Sequence, residues 1–251
     1  MSGVTTRAFV LRSVDYRESD RILTLLTEQL GKVDAIAKGA RSSRRRFAGA
    51  LEPFALLEVT LGPGRGRDRL MVVSEASVLV ENRGLATDLG KVGAAAYLTE
   101  LARETTPQEE PDPRTFEALA VGLRLLASDG ALMRPLLIAS QLRILALAGF
   151  AVSTGACNVC GKGLPGGRKA YFDPRRGGVI CTSCGGGPIL FEAPVADALA
   201  ALGKSTQADA SRMEIPKAIL GEIEHAVELF VEEHLERRLK SSSFRAQIPR
   251  R

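Results

Sequence analysis

Residues 31–54 read GKVDAIAKGARSSRRRFAGALEPF, and this stretch joins two predicted β-strands through a strongly basic loop. Apolar and polar residues mostly alternate from Lys32 to Lys38, as expected for a strand with one buried face. Five cations then fall within nine residues, with no acid between them: Lys38, Arg41, Arg44, Arg45 and Arg46. Unpaired charge is costly to bury, so this basic loop is predicted to face either solvent or an anion.

The residues on both sides of the basic loop indicate a small all-β domain. Short strands are predicted at Arg7–Val14, Ile22–Thr27, Lys32–Lys38, Phe54–Leu61 and Leu70–Leu79, with turn-forming residues between them. Five short strands within residues 1–80 favour a closed barrel or a sandwich. An OB-type barrel is the five-stranded form that binds oligonucleotides through one face and its loops. In that setting the basic loop is either a phosphate-binding loop or a solvated one.

A second cationic segment favours phosphate binding. Arg65 and Arg67 alternate with glycines in a predicted hairpin loop, so their guanidinium groups could follow a phosphate backbone. Phe47, directly after the basic loop, either stacks on an unpaired base or anchors the loop in the core. No residue pattern is typical of base-edge recognition, so binding is predicted to be largely independent of sequence and sensitive to salt.

Beyond about residue 85 the apolar residues follow the period of an α-helix. Helices are predicted at Asp88–Glu104, Arg114–Ala127, Ala131–Leu147, Ala193–Leu202 and Pro216–Leu239. The third is apolar on nearly all sides and has 17 residues, including Arg134, Gln141 and Arg143, which indicates a central core helix and not a membrane span. After Lys240 the sequence lacks periodicity, which predicts a mobile tail.

All four cysteines occur in the pattern Cys-x2-Cys-x20-Cys-x2-Cys, formed by Cys157, Cys160, Cys181 and Cys184. Two such pairs supply the four thiolates of a tetrahedral zinc site, and the neighbouring glycines suit tight turns. Four thiolates fill the coordination shell, so the site is predicted to be structural. The alternatives are reduced buried cysteines, a redox dithiol or an iron–sulfur cluster, and the absence of an export signal argues against disulfides.

Composition and charge indicate a globular protein with basic ends. Hydrophobic residues make up 45% of the chain and charged residues 25%, as in ordinary globular proteins. Residues 1–80 carry 13 Lys/Arg against 9 Asp/Glu, residues 81–236 carry 15 against 20, and residues 237–251 carry six cations and no acid. This distribution favours polyanion binding at the ends and another partner in the middle. Without a signal peptide or membrane span, a cytoplasmic location is expected.

The sequence gives little indication of an enzyme. It lacks the Gly-x4-Gly-Lys-Ser/Thr phosphate loop, and Gly62-x-Gly64-x-Gly66 lacks the context of a dinucleotide fold. The two histidines, His225 and His234, lie among glutamates on the last predicted helix, where a solvated or partly packed role is expected.

Several motifs, in order along the whole chain, resemble the bacterial recombination mediator RecO family. They are Glu18–Thr27, Gly31-Lys32, Ala35–Arg41, Phe47–Phe54, Gly64–Asp68, Cys157-x2-Cys160-Gly161 and Phe172-x4-Gly177-Gly178-x2-Cys181-x2-Cys184. The resemblance implies an α+β multidomain chain, with an OB-fold followed by a helical domain into which a zinc module is inserted. The implied boundaries are 1–80 for the OB-fold, 81–150 and 191–240 for the helical domain, 151–190 for the zinc-binding module and 241–251 for a basic flexible tail.

The resemblance also implies a function in DNA repair and recombination. It implies binding of single- and double-stranded DNA, annealing of complementary strands and, with RecR, loading of RecA onto DNA coated by the single-stranded-DNA-binding protein SSB. The four cysteines match the family's zinc ligands, and DNA contact is expected at Lys38, Arg41 and the following arginines, with Arg65 and Arg67. The expected location is the cytoplasm, at the nucleoid, and the SSB tail is expected to dock in the helical region.

Two other hypotheses remain beside the non-enzymatic DNA-binding mediator. One is a scaffold whose acidic helical centre docks repair partners and whose basic ends bind little DNA. The other is a nuclease or another enzyme, which is disfavoured because the sequence lacks a carboxylate–metal constellation. Measuring the DNA affinity of the chain without partners distinguishes the mediator from the scaffold. Magnesium-dependent cleavage of DNA by the pure protein would instead favour the nuclease.

Overall fold

Five strands close into a barrel in the computed structural model, which describes residues 3–43, 46–47, 50–64 and 70–242. The strands are β1 (Val4–Tyr16), β2 (Asp20–Thr27), β3 (Gly31–Ala37), β4 (Leu56–Gly62) and β5 (Met71–Val80). Around the barrel they follow the order β1-β2-β3-β5-β4, and β4 pairs back to β1. Pairings among these strands are antiparallel except that of β3 with β5. All five predicted strands are confirmed, and they form the predicted OB-type barrel.

A bulge in β1 reverses which side chains face the barrel interior. Before it, Ala8 and Val10 lie in the barrel core, whereas Phe9 packs into the core of the helical domain. The register shifts between Val10 and Arg12. Beyond this point, among the described strands, Arg12–Tyr16 pairs with β2 alone. This second half of β1 therefore forms a hairpin with β2 that is free of β4.

Six α-helices follow the barrel in the described chain: α1 (Leu89–Thr105), α2 (Pro113–Ala127), α3 (Met133–Leu147), α4 (Ala193–Lys204), α5 (Gln207–Ala210) and α6 (Lys217–Leu235); residues 240–242 are helical as well. Aspartates fix two of the starts, because Asp88 accepts from the N–H groups of Gly90 and Lys91, and Asp112 caps α2. α3 is buried on nearly all sides, as predicted for a central core helix. The described residues contain no helix that is long and apolar enough to cross a membrane.

A three-stranded sheet lies between α3 and α4. Its strands are β6 (Ala170–Asp173), β7 (Gly178–Cys181) and β8 (Ile189–Phe191), in the order β7-β6-β8. The rings of Phe172 and Phe191 are 5.6 Å apart, and both side chains belong to the core of the helical domain. The inserted sheet therefore shares its apolar core with the helices.

The C-terminal segment differs from the prediction at two points. The last helix was predicted to reach Leu239, but it ends at Leu235, because Glu236 takes a left-handed conformation with φ 52° and the chain turns back. Leu239 is nevertheless buried in the helical core. Ser241, expected to begin a flexible tail, is buried and donates from its backbone N and Oγ to Glu100 on α1, over 2.8 and 2.6 Å. Residues 243–251 lie outside the described part of the chain.

The barrel and the helices are in direct contact. Phe9 of β1 packs against Phe116 of α2 with their ring centroids 5.3 Å apart. Arg7 of β1 pairs with Glu28 at 2.5 Å and reaches Glu117 of α2 at 2.6 Å. The contact between the Phe9 and Phe116 rings and the ion pairs of Arg7 together hold the barrel against the helical domain.

A second contact between the two regions occurs at the start of β3. The N–H of Glu109, in the segment between α1 and α2, donates to the carbonyl of Lys32 over 2.9 Å. Gly31 stands directly beside this segment with φ +71°, and a Cβ added there would lie 2.3 Å from the carbonyl oxygen of Glu110. Glycine is therefore required for both the backbone conformation and the close approach.

We expect Gly31→Ala to lower the free energy of unfolding by more than the matched substitution Gly130→Ala. Both glycines have positive φ, but nothing lies within 4 Å of a Cβ at Gly130. The left-handed conformation alone costs about 1–3 kcal/mol, and only Gly31→Ala adds a clash with backbone. Denaturant unfolding of both variants checks this, and equal losses would contradict the proposed close contact.

Candidate metal centre and nucleic-acid interface

The sulfur atoms of Cys157, Cys160, Cys181 and Cys184 all lie within 4.8 Å of one another. Each pair lies on a tight turn: Gly161 donates to the carbonyl of Cys157 over 2.8 Å, and Thr182–Cys184 forms a 3-10 helix that follows β7 directly. Both turns are followed by a glycine in the left-handed region, Gly161 at φ +70° and Gly185 at φ +91°. All four cysteines are free thiols.

Backbone hydrogen bonds join the two cysteine turns. The N–H of Asn158 donates to the carbonyl of Val179 over 2.8 Å, which places the first turn beside β7. The N–H of Cys181 then donates to Sγ of Cys157 over 3.3 Å. Such bonds to sulfur orient the ligands of a thiolate site and stabilise negative charge on them.

The electrostatics of the cluster suit a cation. Burial opposes ionisation of Cys157, but the N–H groups of Cys181, Cys160 and Val159 outweigh it and lower the pKa of this thiol to about 6. Hydrogen bonding to the neighbouring sulfur of Cys181 raises the pKa of Cys184 to about 12. Without a cation, therefore, the thiols cannot all ionise together near neutral pH. A bound metal ion reverses this relationship and favours four thiolates.

The basic loop, Lys38 to Arg46, is fixed to the turn between β1 and β2. The N–H of Gly39 donates to the carboxylate of Asp20 over 2.8 Å. The N–H of Arg41 donates to the carbonyl of Ser19 over 3.0 Å, and its guanidinium reaches the carbonyl of Glu18 at 3.3 Å. Hairpin turn and basic loop therefore form one continuous surface at this end of the barrel.

The described cationic side chains of the basic loop face solvent. Lys38, Arg41 and Arg46 are exposed. The guanidinium of Arg46 also closes the loop by donating to the carbonyl of Lys38 over 2.8 Å. Four other predicted DNA contacts, Arg44, Arg45, Arg65 and Arg67, lie outside the described residues.

Phe47 anchors the loop. Its side chain is only 2% exposed and belongs to the barrel core. Of the two roles considered for this ring, the structure supports the core anchor. Base stacking by Phe47 is ruled out in this conformation, because the ring has almost no accessible surface.

Family models and curated relatives match almost the whole chain. A model described as "Recombination protein O N terminal" matches residues 1–81, and one described as "Recombination protein O C terminal" matches residues 86–243. The chain belongs to the RecO family. The proteins named "DNA repair protein RecO" from Anaeromyxobacter sp. (strain Fw109-5) and Myxococcus xanthus (strain DK1622) are 41% and 39% identical to it. The first alignment covers 95% of this chain and 94% of the relative, and the second covers 96% of each.

Membership of the RecO family confirms the resemblance predicted from the sequence motifs. The structure brings the four predicted metal ligands together and places the described cations of the basic loop on one exposed surface. His234, which was expected to be solvated or partly packed, stacks on Phe230 with ring centroids 3.9 Å apart.

Two features of this RecO-family chain were not predicted from its sequence. The first is Tyr16, an exposed aromatic residue at the turn that holds the basic loop. The second is a hollow of about 430 Å³ beside α2, α3 and α5, flanked by Arg114 and Arg143. The only sequence signal for the first was an aromatic residue next to Arg17 in a predicted turn. No sequence pattern predicted the hollow, because its lining residues come from three separate helices.

Proposed function

We propose that this chain is a DNA-binding recombination mediator in DNA repair, acting in the cytoplasm at the nucleoid. It binds single- and double-stranded DNA, anneals complementary strands and, with RecR, promotes RecA loading onto SSB-coated single strands. The observation that carries the proposal is the exposed basic loop on an OB-type barrel, where Lys38, Arg41 and Arg46 face solvent. Family membership adds support, because relatives of 41% and 39% identity are named DNA repair proteins.

Annealing follows from charge neutralisation and needs no catalytic group. Two approaching strands repel each other through their phosphates, and cations that contact both strands reduce this repulsion while base pairs form. Among the described residues, Arg41 and Lys38 have no buried counter-ion, although Asp15 lies 3.9 Å from the Arg41 guanidinium. The residues for this action are the ones predicted from sequence: Lys38, Arg41, Arg44, Arg45, Arg46, Arg65 and Arg67.

We propose one structural Zn²⁺ per chain, held by Cys157, Cys160, Cys181 and Cys184. The donor set fits, because four sulfurs within 4.8 Å of one another approach the spacing of about 3.8 Å that tetrahedral coordination at about 2.3 Å requires. Four thiolates leave no open position for a substrate, so the proposed ion would stabilise the inserted sheet and take no part in catalysis.

The helical domain is the proposed docking region for the SSB tail. The hollow flanked by Arg114 and Arg143 is also lined by the apolar side chains of Ala118 and Val121 and by Glu117, whose carboxylate pairs with Arg7. Two cations beside apolar side chains suit a short peptide with apolar side chains and negative charge. RecR is proposed as a direct partner and RecA as a functional one.

Strand annealing measured against salt tests the proposal. If about five to eight phosphates are contacted, log K for DNA binding should fall with log salt at a slope of about −5 to −7, and annealing should weaken in parallel. RecR should be needed for RecA loading on SSB-coated strands. Arg143→Glu should impair that reaction while leaving annealing of uncoated strands unchanged.

Two results would contradict the mediator function. A flat salt response, or no measurable affinity without partners, would favour the scaffold whose helical centre docks repair proteins. Magnesium-dependent cleavage of DNA by the pure protein would instead indicate a nuclease.

A further inference from the structure

An apolar row crosses the outer face of the barrel beside the basic loop. Val14 on β1 is paired with Ile22 on β2, Ile22 with Ile36 on β3, and Ile36 with Val72 on β5. Directly paired residues point to the same side of a sheet. The next row along β2 and β3, Leu23 and Ala35, lies in the barrel core. Because side chains alternate along a strand, the row from Val14 to Val72 faces outward.

The helical domain leaves this outer row uncovered. Elsewhere on the outer face, Phe9 and Leu26 are buried in the helical core. In contrast, Val14 is 42% exposed, and Ile22, Ile36 and Val72 are half-buried and belong to neither hydrophobic core. We call the row Val14, Ile22, Ile36 and Val72 the outer shelf.

Tyr16 stands at the end of the outer shelf nearest the basic loop. It lies two residues beyond Val14 on the same strand and on the same side, and it is 39% exposed. Its partner across the hairpin is Asp20, whose carboxylate binds the N–H of Gly39 at the start of the basic loop. The guanidinium of Arg17 lies 5.2 Å from the centroid of the Tyr16 ring.

We propose that Tyr16 and the outer shelf form a base-stacking platform for unpaired DNA, with the basic loop holding the adjacent phosphates. This inference rests on the proposed function and adds a preference for single strands to it. The apolar row and the ring match the faces of unstacked bases, and the cations on its border, Lys38, Arg41 and Arg17, match the backbone that connects those bases. A duplex keeps its base faces inside the helix, so it can use the basic loop but not the platform.

The affinity of Tyr16 variants for labelled oligothymidine and for a blunt duplex of mixed sequence tests the platform. Tyr16→Ala should weaken oligothymidine binding about tenfold, as expected for the loss of one stacked base, with little effect on the duplex. Tyr16→Phe keeps the ring and should bind nearly as the natural chain does. Leu190→Ala, an exposed apolar residue on β8, is the matched control and should change neither affinity.

Tyrosine fluorescence gives an independent readout, because the chain has three tyrosines and no tryptophan. Tyr97 is fully buried, and Tyr171 is half-buried in the inserted sheet. Oligothymidine should therefore quench the emission of the natural chain through Tyr16, and most of this quenching should disappear in Tyr16→Phe.

The possible results distinguish failure of the base-stacking platform from failure of the proposed mediator function. Unchanged oligothymidine affinity in Tyr16→Ala, or equal losses for both DNAs, would overturn the platform. In either case, weaker DNA binding after charge reversal in the basic loop would still support the mediator. A natural chain that binds neither DNA would overturn both proposals.

Discussion

Cys157→Ser is expected to reduce the metal content from one ion per chain to nearly none and to unfold the inserted sheet. Cys157 is the buried member of the four-cysteine cluster, and its sulfur accepts a hydrogen bond from the backbone of Cys181. Structural zinc contributes about 10–16 kcal/mol of apparent binding free energy in zinc-finger peptides, which equals or exceeds the total stability of most domains. Three strands of three or four residues have little to replace that contribution.

The damage should spread from the sheet into the helical domain. Phe172, Val179 and Phe191 are fully buried members of the helical core, so unfolding the sheet exposes that core. We therefore expect a lower melting temperature for the helical domain and proteolytic cleavage first within residues 151–190. Elemental analysis, thermal unfolding and limited proteolysis provide the measurements, and Ser183→Ala, an exposed change between two of the cysteines, is the control. Unchelated natural protein that contains no metal would remove the basis of the prediction.

The elements that could be predicted from sequence are those in which one local pattern covers the whole element. Alternation predicted all five strands of the barrel, and apolar periodicity predicted α1 and α2. The spacing of the cysteines predicted a cluster that the structure brings together. In contrast, β6, β7 and β8 are three or four residues long, too short for a repeated pattern.

Two errors have identifiable physical causes. Leu239 follows Leu235 at helical spacing, so an extended α6 was predicted; the chain instead reverses at Glu236 and buries Leu239 by another route. Tyr16 was assigned to a turn, because the first strand was predicted to end at Val14, whereas β1 continues to Tyr16. Within β1, unbroken alternation would place Tyr16 on the same side as Val10, inside the barrel, but the bulge between Val10 and Arg12 turns it outward. No local sequence feature marks the shift of one residue that turns it outward.

Charge reversal of Lys38 and Arg41 in the basic loop should produce the largest loss of DNA affinity. Lys38 and Arg41 are exposed, whereas the guanidinium of Arg46 closes the loop on the Lys38 carbonyl, so changing Arg46 would also disturb its shape. We expect Lys38→Glu/Arg41→Glu to weaken binding on the order of 100-fold at about 0.1 M salt. The loss should be similar for unrelated sequences, because phosphate contacts carry no base information.

The salt dependence of binding identifies phosphate contact as the cause of the loss. Lys38→Ala/Arg41→Ala should reduce the slope of log K against log salt by about 2, one for each contact removed. Arg212→Glu/Lys217→Glu makes the same change in net charge as Lys38→Glu/Arg41→Glu, at exposed positions near the start of α6, and should leave affinity and slope close to those of the natural chain. If this control weakened binding as much as the loop variant, net charge would explain the affinity and the basic loop would not be the interface. The metal content of both variants should stay at one ion per chain, because neither change touches the cysteine cluster.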